Sequence, residues 1–290
     1  MKDKIREIVV ISGKGGTGKT SITASFAALA ESPVMVDCDV DAADLHLVLK
    51  TEVLESHEFH GGKLARILEE SCRHCGICTP LCRFKAISPM PTIDKASCEG
   101  CGVCAHFCPH GAILFEEALN GHWYRSRTRF GPLFHARLGV AEENSGKLVA
   151  LIRKEARAHA NEEERRMILV DGPPGIGCPV IASLSGADQV VIVTEPTVSG
   201  IHDLKRVADL ARHFRVPANI VINKADLNSN KAREIADFAL ANDLRMLGEV
   251  PYEPAITKAQ IAEKSVVEFS DGPASEAIRK IWQILSKEKQ

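Results

Sequence analysis

Eight of the ten cysteines in this 290-residue chain fall between Cys72 and Cys108. They form two near-copies of one run, Cys72-x2-Cys75-x2-Cys78-x3-Cys82 and Cys98-x2-Cys101-x2-Cys104-x3-Cys108, the second followed by Pro109. Each run ends in a matching tail, Lys85-Ala86-Ile87 and Gly111-Ala112-Ile113. Thiols at such short, repeated spacing have the arrangement of metal ligands. Gly76 and Gly102 let each loop turn back, so that backbone N–H groups can face the sulfurs. Zinc usually takes two C-x2-C pairs separated by a longer spacer. A third cysteine at the same spacing, present twice, is more than zinc needs. Disulfides fit less well, because adjacent thiols on tight loops suit a metal better. The charged first residues also run straight into an apolar strand and a glycine loop, so no secretory signal is read.

A second chemistry precedes the first. Ile8-Val9-Val10-Ile11 has the pattern of a strand buried on both faces, and Ser21 to Ala30 reads as a helix. Between them, Gly13, Gly18, Lys19 and Thr20 meet the G-x4-G-K-[ST] frame. Gly15, Gly16, Thr17 and Ser21 complete the candidate cradle. Glycines let the backbone wrap closely around phosphates, and a helix N-terminus favours their charge. Lys19 is expected to reach the β- and γ-phosphates, and Thr20 to sit on Mg²⁺. Lys14 is either a second phosphate-facing ammonium or a solvated loop lysine.

The cysteine rhythm resembles that of bacterial two-cluster ferredoxins. The resemblance implies two [4Fe-4S] clusters, one held by Cys72, Cys75, Cys78 and Cys108 and the other by Cys82, Cys98, Cys101 and Cys104. Arg83 stands where that pattern usually has proline, which places a positive charge near one cluster. With Lys14, the glycine loop reads K-G-G-T-G-K-T and resembles the deviant Walker A motif of the MinD/ParA/Mrp family. That resemblance implies ATP, and a nucleotide-sandwich dimer in which Lys14 reaches the partner's phosphates.

Other segments extend the second resemblance. Val34-Met35-Val36-Asp37-Cys38-Asp39-Val40-Asp41 is a strand ending in acids. Asp39 would orient the attacking water and help hold the hydrated metal; a solvated or capping carboxylate is the lesser alternative. Met167 to Val170 leads into Asp171-Gly172-Pro173-Pro174-Gly175, similar to a Walker B strand and switch loop, with Asp171 on Mg²⁺. Asn223 could read the adenine edge, and Pro251-Tyr252 could pack against the base, although ordinary turns after strands explain both as well. Cys38 and Cys178 read as small buried thiols.

These motifs need strands that present them at one edge. Apolar runs at 190–193, 219–222 and 246–250 alternate with helical stretches, which argues an α/β fold with a doubly wound, mostly parallel sheet. Residues 1–59 and 117–290 then form the P-loop ATPase domain, with 60–116 inserted as a small α+β ferredoxin-like domain. The Gly61-Gly62 pair is a plausible hinge into the insert. Residues 117–146 read either as a partner surface or as a β-hairpin returning to the core, and 139–146 as a polar loop. Ile278, Ile281, Trp282 and Leu285 recur at helical spacing, which fits a helix packed on the sheet better than one lying on a membrane.

The composition is ordinary: 45% hydrophobic, 26% charged and a net charge of -2. No basic block suggests nucleic acid, and no apolar stretch approaches a membrane span. Oxidation-sensitive clusters beside a nucleotide site imply a reducing, cytoplasmic setting. The expected function is an ATPase coupled to electron transfer by the clusters, acting as a homodimer or with a related ATPase and serving a redox partner. A cluster-assembly ATPase and a Min/Par-like positioning ATPase are the alternatives.

Overall fold

Short apolar runs become strands that carry functional residues at their ends. The computed structural model describes residues 4–139 and 145–287. The chain divides into two units, one of Met1–Ser56, Trp123–Arg137 and Ser145–Gln290, the other of His57–His122 and Leu138–Asn144. The strands are β1 (Arg6–Ser12), β2 (Val34–Asp37), β3 (Glu52–Phe59), β4 (Gly62–Ile67), β5 (Ile113–Ala118), β6 (Gly121–Arg127), β7 (Pro132–Leu138), β8 (Met167–Pro174), β9 (Gln189–Thr194), β10 (Ala218–Asn223) and β11 (Arg245–Val250).

In the first unit the sheet runs β11-β10-β9-β1-β8-β2-β7-β6-β3, with β3, β6 and β7 crossing into the second unit's residues at their ends. The pairs β1–β8, β1–β9, β9–β10, β10–β11, β2–β8 and β2–β7 are parallel. This is the mostly parallel α/β sheet expected from the alternation of apolar runs with helices. Its longer helices are α1 (Lys19–Leu29), α2 (Ser145–Glu162), α3 (Cys178–Leu184), α4 (Val198–His213), α5 (Ser229–Ala241), α6 (Pro254–Ile261) and α7 (Pro273–Ser286).

Both faces of the sheet are covered. The four residues Ile8 to Ile11 are wholly buried, as a strand between two helical layers requires. On α7, Ile278, Ile281, Trp282 and Leu285 all face the core, and the Trp282 ring lies 5.2 Å from that of Phe26 on α1. Burying each such side chain contributes about 1.5–3 kcal/mol, so the C-terminal helix packs on its own sheet. At the start of β1 the buried carboxylate of Glu7 is paired by Arg153 and Arg157 of α2.

The segment after residue 117 includes the β-hairpin reading. Strands β6 and β7 are neighbours, and the Thr128 N–H donates to the Gly131 carbonyl at 3.0 Å in the turn between them. Tyr124 stacks on His135 at 5.0 Å, and Trp123 on Phe134 at 6.4 Å. Of the polar loop at 139–146, residues 140–144 lie outside the described residues, and α2 already begins at Ser145.

The second unit is built around an antiparallel pair, β4 with β5, running from Gly62 opposite Ala118 to Ile67 opposite Ile113. An isolated bridge joins Ile87 to Ile93. The glycine pair read as a hinge is pinned: Asn120 Oδ1 accepts the Gly61 and Gly62 N–H groups at 2.8 and 3.0 Å.

Candidate functional site

A cavity of about 590 Å³ opens at the C-terminal ends of β1, β2, β8 and β10. Ligand sites in open α/β sheets lie at this edge, where helices leave in opposite directions. Of the expected residues, Gly15, Gly16, Thr17, Gly18, Lys19, Thr20, Ser21, Asp39, Asn223 and Tyr252 line it. Gly13, Lys14, Pro251 and Asp171 do not line it. Gly13 is a packing point instead, since a Cβ there would come within 2.3 Å of the Asp203 Cβ on α4.

The phosphate loop is fixed by one close approach. Gly18 caps α1 with φ 85, and an added Cβ would stand 2.2 Å from the Asn223 amide nitrogen. Only glycine fits both the left-handed backbone and that contact. Thr17 Oγ1 is buried without a hydrogen-bond partner, an orphan polar atom on the cradle.

Below the loop, three side chains converge on Asp171. Lys19 Nζ donates to its Oδ1 at 3.0 Å, Thr20 Oγ1 to Oδ2 at 2.7 Å and Thr23 Oγ1 to Oδ1 at 3.1 Å. The Asp39 carboxylate stands 3.8 Å from Lys19 Nζ. Burial works against the Lys19 ammonium, but Asp171, Asp37 and Asp39 outweigh it and hold its pKa above the ordinary value. Burial, with Asp171 adding to it, raises Asp39 above the usual carboxylate range. Asp37 is wholly buried and accepts the N–H groups of Asp39 and Leu45 at 3.1 and 3.0 Å, so it knits the acidic segment together. A Mg²⁺ ion fits here: Thr20 and Asp171 supply hard oxygens, with Asp39 on the cavity wall.

One expected residue has a further role, and one expectation is overturned. The Asn223 amide is engaged already, with Nδ2 donating to the Thr17 carbonyl at 2.7 Å and Oδ1 accepting the Lys224 N–H at 3.0 Å. It positions the phosphate loop, and because an amide has a second N–H and a second lone pair, this role is compatible with the expected adenine-edge reading. Cys178 is exposed, not buried, because it opens α3 just beyond the switch loop. Cys38, at the end of a central strand, is buried as expected.

Several participants have no local sequence signal. Glu195, just past β9, forms ion pairs with both Lys14, at 3.4 Å, and Lys224. Lys14 also donates to Ser199 Oγ at 3.1 Å, so the extra lysine is held by its own chain. Lys224 further donates to the Gly16 carbonyl at 3.3 Å. Gln260 on α6 lines the cavity and donates to Ser21 Oγ at 2.9 Å. A glutamate after a strand and a glutamine in a helix look ordinary in one dimension; only the sheet order brings them here.

The second unit presents the thiols. Cys72, Cys75, Cys78 and Cys108 together line one small cavity with Ile67, Ile77 and Ile113. Burial, and after it the neighbouring thiols of Cys72, Cys75 and Cys108, push the Cys78 thiol up. Cys104 is raised in the same way, with Cys98 and Cys101 as its neighbours. The two runs repeat one bond: the Ala86 N–H donates to Cys82 Sγ and the Ala112 N–H to Cys108 Sγ, each at 3.3 Å. Gly76 and Gly102 share φ 75. Among the described residues, no three His, Cys, Asp or Glu are gathered to hold a single metal ion. A donor set of thiols, apolar walls and N–H···S bonds is of the kind that suits an iron–sulfur cluster.

Comparison with known proteins bears on the nucleotide unit. An uncharacterized protein of Methanocaldococcus jannaschii is 32% identical over 289 residues, covering 98% of this chain and 97% of its own. The septum site-determining protein MinD complexed with Mg-ADP from Pyrococcus horikoshii superposes with a TM-score of 0.60 at 17% identity, over 98% of this chain and 96% of that one. That likeness shows a shared fold. An iron-sulfur cluster carrier protein of Aquifex aeolicus is 28% identical over 136 residues, 41% of this chain and 36% of its own. Residues 8–266 match the CobQ/CobB/MinD/ParA nucleotide binding domain, and the chain belongs to that family.

Proposed function

We propose that this chain is a nucleotide-hydrolysing iron–sulfur protein in which nucleotide turnover is coupled to electron transfer. The observation that carries the reading is the presence, in one chain, of two complete four-thiol runs and a phosphate loop already joined to Asp171. Family membership supports the nucleotide half. The cluster half rests on the thiol geometry and spacing.

On this reading Gly15 to Thr20 wrap the phosphates, and the Lys19 ammonium neutralises charge that develops on the transferred phosphoryl group. Thr20 and Asp171 would hold Mg²⁺, with Asp39 nearby; the ion supplies further charge neutralisation when bound. Asp39, with its raised pKa, orients the attacking water and can take up its proton. Lys14 leaves Glu195 to meet the phosphates of a partner subunit in a nucleotide-bound dimer. Gly172 and Gly175 allow the loop after Asp171 to move when the γ-phosphate is lost. Cys72, Cys75, Cys78 and Cys108 would hold one cluster, and Cys82, Cys98, Cys101 and Cys104 the other. Clusters so held supply one-electron transfer to a redox partner.

Anaerobic purification followed by iron analysis and EPR, with and without nucleotide, tests the reading. Roughly eight irons per chain are expected, with spectra or potentials that shift on nucleotide binding. Fewer than half that iron, or clusters indifferent to nucleotide alongside turnover indifferent to reduction, would sink it.

A second reading has its own support. The likeness to MinD favours a positioning ATPase that acts at a surface. No described helix is long and apolar enough to cross a membrane, so such action would be peripheral. Nucleotide-dependent sedimentation with liposomes, by protein with its thiol runs replaced by serine, would favour this reading. The partial likeness to a cluster carrier adds cluster transfer, which rapid movement of labelled iron to an apo-acceptor would reveal.

A further inference from the structure

The turn between β6 and β7 carries an arginine that does not line the nucleotide cavity yet holds two of its walls. One wall is the acidic segment after β2, where Asp39, Asp41, Ala42 and Asp44 face the cavity. Asp37 closes this segment at its base, because it accepts the N–H groups of both Asp39 and Leu45. Leu45 opens the short helix Leu45–Val48, so the second anchor of the segment moves with that helix. The other wall is α6, through Ile256, Thr257 and Gln260.

The last carbonyls of a helix find no partner within it. Here they meet Arg129, whose Nη1 donates to the Leu49 carbonyl at 2.7 Å and Nη2 to the Val48 carbonyl at 3.4 Å. The same guanidinium grips Glu268: Nε and Nη2 donate to its two carboxylate oxygens, each at 2.7 Å. Glu268 is itself held. It lies in the short helix Val266–Phe269, which follows α6, and accepts the N–H and the hydroxyl of Ser265 at 2.9 and 2.7 Å. Burial works against its charge, but the bonds from Arg129 and Ser265 outweigh it and hold its pKa below the ordinary value.

One planar group thus joins the end of the helix Leu45–Val48 to the segment after α6. A rigid fork of donors can serve two carbonyls and a carboxylate together; a lysine carries the charge without the fork. We propose that Arg129 is a positioning residue for hydrolysis, a clamp that fixes the acidic segment and with it the Asp39 carboxylate. The inference rests on the nucleotide-hydrolysing reading above and adds to it a residue that acts through Asp39. Reaction geometry allows little slack, since a displacement of about 1 Å can cost about 100-fold in rate. None of the clamp's bonds is made to Gly15–Thr20, so the loss falls on turnover and not on nucleotide affinity.

Release of labelled phosphate from ATP with Mg²⁺ by the full chain tests it, in a cycle of Arg129→Ala, Asp39→Ala and the double variant. Arg129→Ala should lower kcat about 10- to 100-fold, with KM within about threefold of wild type. In the Asp39→Ala background the same change should cost less than about twofold, because the group it positions is gone. Arg129→Lys, which keeps Glu268 paired, should lose most of the same factor while its Tm stays near that of wild type. Where Arg129→Ala does not fold, Arg129→Lys completes the cycle in its place. An undiminished loss in the Asp39→Ala background, a loss confined to KM, or Arg129→Lys as fast as wild type would overturn the clamp and leave hydrolysis standing. A wild type that hydrolyses neither ATP nor GTP would overturn both.

Discussion

The two units hold their reactive groups in opposite ways. Around the nucleotide cavity, Lys19, Thr20 and Thr23 already converge on Asp171, above a core that includes Ile8, Val10, Phe26 and Leu169. In the cysteine unit the buried apolar set is small, with Phe59, Ala65, Ala86, Ile87, Ala112, Ile113 and Ala118 as its members. Cys75 and Cys101 are exposed. A few alanines and isoleucines bury too little apolar area to offset the chain entropy of so many loops. One region builds its site by burial. On the proposed reading the other would depend on its clusters for much of its order, as small metal-bound domains do.

The sharpest way to break this contrast is to remove the proposed clusters. With iron chelated, amide exchange at Ile87 and Ile113 should accelerate by roughly a thousandfold or more. Exchange at Val9 and Leu169 should stay nearly unchanged by mass spectrometry. If the cysteine unit kept its protection, the contrast would be wrong.

The reverse experiment disables the nucleotide site without disturbing the thiols. Lys19→Ala should lower triphosphate hydrolysis by about 100- to 1,000-fold, measured as phosphate release, while visible absorbance from the proposed clusters is retained.

Acid probes the buried unit on its own terms. Burial, and after it the His46 ring stacked on it, hold His135 at about 4, against an ordinary value of 6.5. Between those values the unfolded chain binds the proton more readily than the folded one. The stability contributed by neutral His135 is therefore complete above about pH 6.5 and falls as pH drops toward 4, by about 3 kcal/mol in total. Urea titrations at pH 7 and 4.5 should show this slope, and His135→Gln should flatten it.

The smallest effect tests how tightly the cradle is built. Gly18→Ala brings a Cβ to 2.2 Å from the Asn223 amide in a left-handed backbone. It should cost about 1–3 kcal/mol, and nucleotide affinity should fall with it. The matching change Gly76→Ala meets no atom within 4 Å and is expected to cost less, from its φ of 75 alone.

Much of this was legible in one dimension, for physical reasons. A strand buried on both faces must be a continuous apolar run, so β1, β8, β9 and β10 stand out. Their functional residues follow at the next position, as Asp171 follows Val170. The thiol runs are equally plain, because local loops impose local spacing. What escaped were convergences across the sheet. Glu195 reaches Lys14 because β9 lies beside β1, and nothing near Pro196 announces it. Asn223 was read from its place at the end of a strand. Its bond to the Thr17 backbone carbonyl joins groups distant in sequence, which spacing cannot encode. Cys178 was misjudged because hydrophobicity suggested burial, while its place at the first position of α3 decided exposure.

Glu195 and Asp171 divide the lysines of the phosphate loop between them. Asp171 holds Lys19, while Glu195 holds both Lys14 and Lys224. One carboxylate thus ties two lysines that stand more than two hundred residues apart in the chain. Losing the Glu195 carboxylate would release two ammonium groups at once.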